Sequence, residues 1–134
     1  MKKNNILILS AGRRVELVQD FQAEDAKFSD GTKILCTDLN PKMSSACQAA
    51  DGAFAVPRIS APDYIDSIFE LAQAQNIGLI IPTIDTELLK LADARARFAA
   101  AGIQIVVADS ALIRQCRDKR DTIALFERHG ITSP

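Results

Sequence analysis

Two arginines follow a small-residue turn in Ser10-Ala11-Gly12-Arg13-Arg14, directly after the apolar run Ile6-Leu7-Ile8-Leu9. Such a turn at a helix N-terminus exposes backbone N–H groups, and the two guanidinium groups beside them would attract a carboxylate or a phosphate. Arginine in a first helical turn opposes the helix dipole by about 0.3 to 1 kcal/mol, which a local binding role would explain. A plain strand-to-helix turn with solvated arginines uses the same residues. Only one glycine is present, so the Gly-x-Gly-x-x-Gly phosphate fingerprint is absent.

Asp38 ends a second apolar run, the place from which an acid can hydrogen-bond a ribose in dinucleotide-binding folds. Ahead of Asn40-Pro41 it can equally bond its own backbone as a turn residue. Thr83, Asp85 and Glu87 follow Pro82, and a hydroxyl with two carboxylates could hold a substrate amine or hydroxyl. The alternative is structural: Asp85 is expected to cap the next helix, with Glu87 complementing its positive end. His129, the only histidine, sits near a helix C-terminus, where a structural role fits its charge. One histidine and three scattered cysteines, Cys36, Cys47 and Cys116, assemble neither a zinc site nor a nucleophilic triad. The cysteines read as reduced, mostly buried thiols.

These residues need a scaffold, and the hydrophobic pattern supplies one. Ile6–Leu9, Ile34–Thr37, Ala53–Val56, Leu79–Ile81 and Ile103–Val107 are short apolar runs suited to strands covered on both faces. Helical patterns alternate with them: Val15, Leu17, Val18 and Phe21; a short piece from Pro41 to Ala49; then Ile65, Ile68, Phe69 and Ala72. Ser60 is expected to cap that third helix, with Pro62 early in it and Asp63 reaching back. A long helix covers 85–101 and ends at Gly102, and two more span 111–117 and 119–129. The pattern predicts an α/β, Rossmann-like three-layer sandwich with a five-stranded parallel sheet in the order 3-2-1-4-5. Ligands in such sheets sit beyond the carboxyl ends of the strands where the order reverses, between the first and fourth. That placement gathers Ser10 to Arg14 and Thr83 to Glu87 around one site.

The chain has 134 residues, 48% apolar and 25% charged, which suits one globular core. Sixteen basic residues against 17 acidic ones, dispersed rather than clustered with aromatics, argue against nucleic-acid binding. No run is long enough for a membrane span or a secretory signal core, so a cytoplasmic location is expected.

The order of these motifs closely resembles the start of ATP-grasp proteins similar to the carbamoyl-phosphate synthase large subunit. The resemblance rests on Ile6 to Arg14, Asp38-Leu39-Asn40-Pro41, Ile81-Pro82-Thr83-Ile84-Asp85-Thr86-Glu87-Leu88-Leu89, Asp118-Lys119 and Gly130-Ile131-Thr132-Ser133-Pro134. It implies a Rossmann-like pre-ATP-grasp domain over 1–117, followed by a helix and linker over 118–134 that lead into an ATP-grasp domain. Family members activate a carboxylate with ATP and magnesium as an acyl phosphate, which an amine or other nucleophile then attacks. The resemblance implies that ATP and magnesium bind further along, that this chain binds no cofactor, and that alone it is inactive. Ser10, Gly12, Arg13, Arg14, Thr83 and Glu87 are then the candidate residues facing a small carboxylate or amine substrate. Two other readings stay open. One is a free-standing nucleotide- or dinucleotide-binding module supported by Asp38; the other is a protein-interaction domain using Ile123, Leu125 and Phe126 of the last helix.

Overall fold

A computed structural model describes residues 4–28 and 31–132. Its strands are β1 (Asn5–Ile8), β2 (Ile34–Asp38), β3 (Gly52–Ala55), β4 (Ile77–Ile81) and β5 (Gln104–Ile105). Its helices are α1 (Val15–Phe28), α2 (Ser45–Ala49), α3 (Tyr64–Ala74), α4 (Asp85–Ala100), α5 (Ser110–Arg117) and α6 (Lys119–Arg128), with a 3-10 turn at Pro41–Met43. The sheet is parallel throughout, in the order β3-β2-β1-β4-β5. This is the predicted three-layer α/β fold. Between β1 and β4 the order reverses, so the loops that follow these two strands leave the sheet side by side.

The central strand shows why continuous apolar runs work here. Leu7 and Leu9 point into one core with Tyr64 and Ile68 of α3 and Leu91 and Phe98 of α4. Ile8 points into the other, with Val18 of α1 and Ala46 and Cys47 of α2. Alternate side chains of one strand therefore each find a helical layer. Phe98 meets Phe69 edge to face at 5.1 Å, and the Arg97 guanidinium stacks over Phe69 at 4.3 Å. Beyond the sheet, α5 packs on α4 and α6 packs on α5, and α6 buries none of its residues. Ile123 stays exposed, while Leu125 and Phe126 are half-buried. No helix among the described residues is long and apolar enough to cross a membrane.

Local boundaries differ where backbone geometry overrules hydrophobicity. Gly78 lies inside β4 rather than before it, because Asn76 at φ 55° makes the turn one step earlier. Ser60 does not cap α3. The chain instead bends through Arg58–Tyr64, with Ala61 N–H bonded to Arg58 O at 2.8 Å and Tyr64 N–H to Ala61 O at 3.3 Å. The helix begins at Tyr64 with no side-chain cap. β5 shrinks to two residues because Val107 N–H turns back onto Ile105 O at 3.0 Å. Gly102 takes the expected left-handed conformation, at φ 74°. Ser133 and Pro134 lie outside the described residues.

Burial sets two stability predictions. Truncating Phe98→Ala removes a fully buried ring and its partner contacts, and urea unfolding should show a loss of about 3 to 5 kcal/mol. Burial also pushes the Cys36 thiol from 9.0 up to about 12, raises Cys47, and raises Tyr64, where desolvation acts together with the Glu87 charge. Above pH 9 the unfolded chain releases these protons while the folded chain keeps them, so stability is full below pH 9 and falls as pH rises toward 12. Thermal unfolding across pH 8 to 11 should show a falling Tm, and Cys36→Ser with Cys47→Ala should flatten part of that fall.

Candidate functional site

The loop after β1 is built on two left-handed residues, Ser10 at φ 51° and Gly12 at φ 54°. Glycine takes that conformation freely, whereas serine must be held in it. Four side chains hold it. Ser10 N–H donates to Thr37 Oγ1 at 3.3 Å, and Ser10 Oγ donates to Glu87 Oε2 at 2.8 Å. Thr83 Oγ1 lies 2.8 Å from Leu9 O and 2.9 Å from Ser10 O, sharing its proton between the two carbonyls. Arg14 reaches back with Nη1 to Ser10 O at 3.4 Å and Nη2 to Thr83 O at 3.0 Å, tying the loops after β1 and β4 together.

Glu87 is the centre of this arrangement and is fully buried. Its Oε2 accepts from Ser10 Oγ and from Tyr64 Oη at 2.9 Å, while Oε1 accepts from Thr83 N–H at 3.0 Å and Ile84 N–H at 3.3 Å. Four donors from three segments account for the carboxylate's full capacity, so it has none left to present outward. Asp85 does not cap α4, as the sequence reading expected. Ile84 occupies that position, and Glu87 at the third helical position reaches back to the N–H groups of Ile84 and Thr83.

Of the loop's backbone N–H groups, expected to be open to an anion, those of Ser10, Ala11, Gly12 and Arg14 are engaged within the chain. Gly12 N–H donates to Asp38 Oδ2 at 3.2 Å, Ala11 N–H to Thr37 O at 3.0 Å, and Arg14 N–H to Ala11 O at 3.0 Å. Asp38 Oδ1 accepts from Asn40 N–H at 3.1 Å, the turn bond that was one of its two sequence readings. Gly12 O is fixed from the other side by Ser44 Oγ at 2.7 Å and Ala46 N–H at 3.1 Å. What the loop does offer outward is side-chain charge. Arg13 is exposed, and among the described residues its side chain makes no hydrogen bond or ion pair.

Against this loop lies a cleft of about 730 Å³ along the carboxyl ends of the first four strands. Ser10, Gly12, Arg14 and Asp38 line it, while Thr83 and Glu87 stand behind its wall. Two cations that sequence reasoning passed over also line it: Arg58 beyond β3, and Lys90 one turn into α4 from Glu87. Arg58 follows β3 at the same end of the sheet where Asp38 ends β2, and that position was the available signal. Lys90 carried no such signal, because its role depends on the bent 58–64 segment that it clamps through bonds to Ile59 O and, at 3.4 Å, Ala61 O. Another hollow lies beside β5, lined by Gly78, Arg95 and Gly102 to Ala108, and no candidate residue lines it.

Replacing Glu87 with glutamine keeps the shape but turns one acceptor oxygen into a donor facing two donors. Glu87→Gln should therefore cost about 2 to 4 kcal/mol in chemical unfolding, and Tyr64→Phe, which deletes one of the donors, less.

The comparisons with known proteins agree with this architecture. Residues 6–106 match the family model described as the PylC-like N-terminal domain. No curated protein matches the chain. Among solved structures it is similar to the L-amino acid ligase from Bacillus licheniformis, at TM-score 0.65 and 14% identity over 100% of this chain and 32% of that one. It is likewise similar to the biotin carboxylase domain of a single-chain bacterial carboxylase, at TM-score 0.61 and 22% identity over 95% of this chain and 29% of that one. A third is glycinamide-RNase-transformylase T from Mycobacterium tuberculosis, at TM-score 0.63 and 13% identity over 92% of this chain and 34% of that one. These identities speak for the fold, and the chain spans about a third of each of these neighbours. On the family match, which covers most of its length, this chain belongs to the PylC-like N-terminal domain family.

Proposed function

We propose that this chain is the substrate-side domain of an ATP-dependent, carbamoyl-phosphate synthase-like carboxylate–amine ligase that works through an acyl phosphate. One observation carries the reading: in this domain Ser10, Gly12 and Arg14 line an open cleft at the strand ends, and Arg13 is exposed on the same loop. Arg13 and Arg14 supply the positive charge for a substrate carboxylate. Ser10 and Gly12 shape the wall, and Thr83 and Glu87 act from behind it by holding that wall in place.

The loop N–H groups of Ser10 and Gly12, which could otherwise cradle a phosphate, are bonded to Thr37 and Asp38, which weighs against ATP at this loop. On this reading nucleotide and magnesium are held by a further domain of the full-length enzyme, which would be this domain's main partner. A free-standing dinucleotide module is less favoured, because the Gly-x-Gly-x-x-Gly fingerprint is absent and each oxygen of Asp38 already accepts one backbone bond.

The test is made on the full-length enzyme. Replacing Arg13 and Arg14 with alanine should lower kcat/KM for the carboxylate substrate by roughly tenfold or more. Unchanged KM and kcat would sink the reading. The 134-residue chain alone should release no ADP from ATP.

A further inference from the structure

The cleft has a second half that the arginine loop does not explain. Arg14, Arg58 and Lys90 reach it from three different segments, the loop after β1, the loop after β3 and helix α4. None of the three belongs to an ion pair among the described residues, where the four pairs lie elsewhere. Arg58 is exposed, and its side chain makes no hydrogen bond among the described residues. Asp38 is the one carboxylate on the lining, already bonded to Gly12 and Asn40, and Glu87 is buried behind Ser10 and Tyr64. Positive charge thus exceeds negative charge around an opening of a size usual for small-molecule sites.

The rest of the lining is apolar. Leu39, Val56, Pro57, Ile59 and Ile84 line the cleft, and Leu39 is 52% exposed. Point charges on separate side chains suit a single anionic head. Closely spaced backbone N–H groups, which a phosphate or pyrophosphate would use, are engaged within the loop.

We propose that this cleft binds a small monocarboxylate with an apolar chain, the carboxylate against Arg58, Lys90 and Arg14 and the chain along Leu39, Val56, Pro57 and Ile59. Lys90 also acts structurally, since its bonds to Ile59 O and Ala61 O hold the apolar side in place. Arg58 has no such second task, which makes it the residue to vary. The proposal deepens the substrate reading above by giving the substrate an apolar body, and its test needs neither ATP nor a second domain. Its failure is therefore separate from failure of the ligase reading.

The experiment titrates the isotope-labelled 134-residue chain with hexanoate, hexylamine and AMP, following amide shifts by NMR. Hexanoate should produce saturable shifts at Leu39, Arg58, Ser60 and Lys90, and hexylamine should not. Arg58→Ala should weaken hexanoate by roughly threefold, with Arg58→Lys restoring part of it. Arg117→Ala, on α5 away from the cleft, should leave hexanoate binding as it was. The proposal is overturned by hexanoate leaving these amides unmoved, by Arg58→Ala binding as tightly as the parent, or by AMP saturating the same amides at lower concentration.

Discussion

A carboxylate shut away from water must have its oxygens filled by the protein or the burial is prohibitively costly, and Glu87 meets that requirement with donors from four residues. Those donors are Ser10 on the loop after β1, Tyr64 at the start of α3, and Thr83 and Ile84 on the loop after β4. One side chain thereby fixes the relative positions of three segments that the sheet alone would leave to their own turns. The left-handed Ser10 is sustained by the same contacts, and with it the direction in which Arg13 and Arg14 leave the sheet.

The two layers of the core serve that constraint differently. On one side, Leu91 and Phe98 anchor α4 against the sheet and so bring Glu87 to its place under the loop. On the other, α2 closes over the loop from behind, its cap Ser44 bonding Gly12 O. The cleft is what remains open between these supports, and its charge comes from side chains rather than from backbone dipoles. What the domain presents there is a shaped wall bearing Arg14, Arg58 and Lys90.

Much of the fold was legible because buried parallel strands advertise themselves as apolar runs and the helices between them keep their period. The strand order 3-2-1-4-5, expected for a doubly wound parallel sheet, is the one the sheet has. Ser10, Gly12, Arg14 and Asp38 were found because they sit at strand ends, where position itself is informative. Glu87 was found for its type and place, yet its burial was not legible, since nothing local shows that Tyr64 and Ser10 converge on it from 23 and 77 residues away. Arg58 and Lys90 were missed because the segment between β3 and α3 bends rather than capping a helix at Ser60. Only that bend brings the two to the cleft.

The central claim, that this unit is the wall of a larger ligase, is tested most directly by the intact mass of the protein from its native source. The account predicts a mass well above the 14.6 kDa of these 134 residues, with peptides beyond Pro134 that carry the lysines and acidic groups of a nucleotide-binding domain. A native protein of 14.6 kDa that saturates with nucleotide on its own would contradict it.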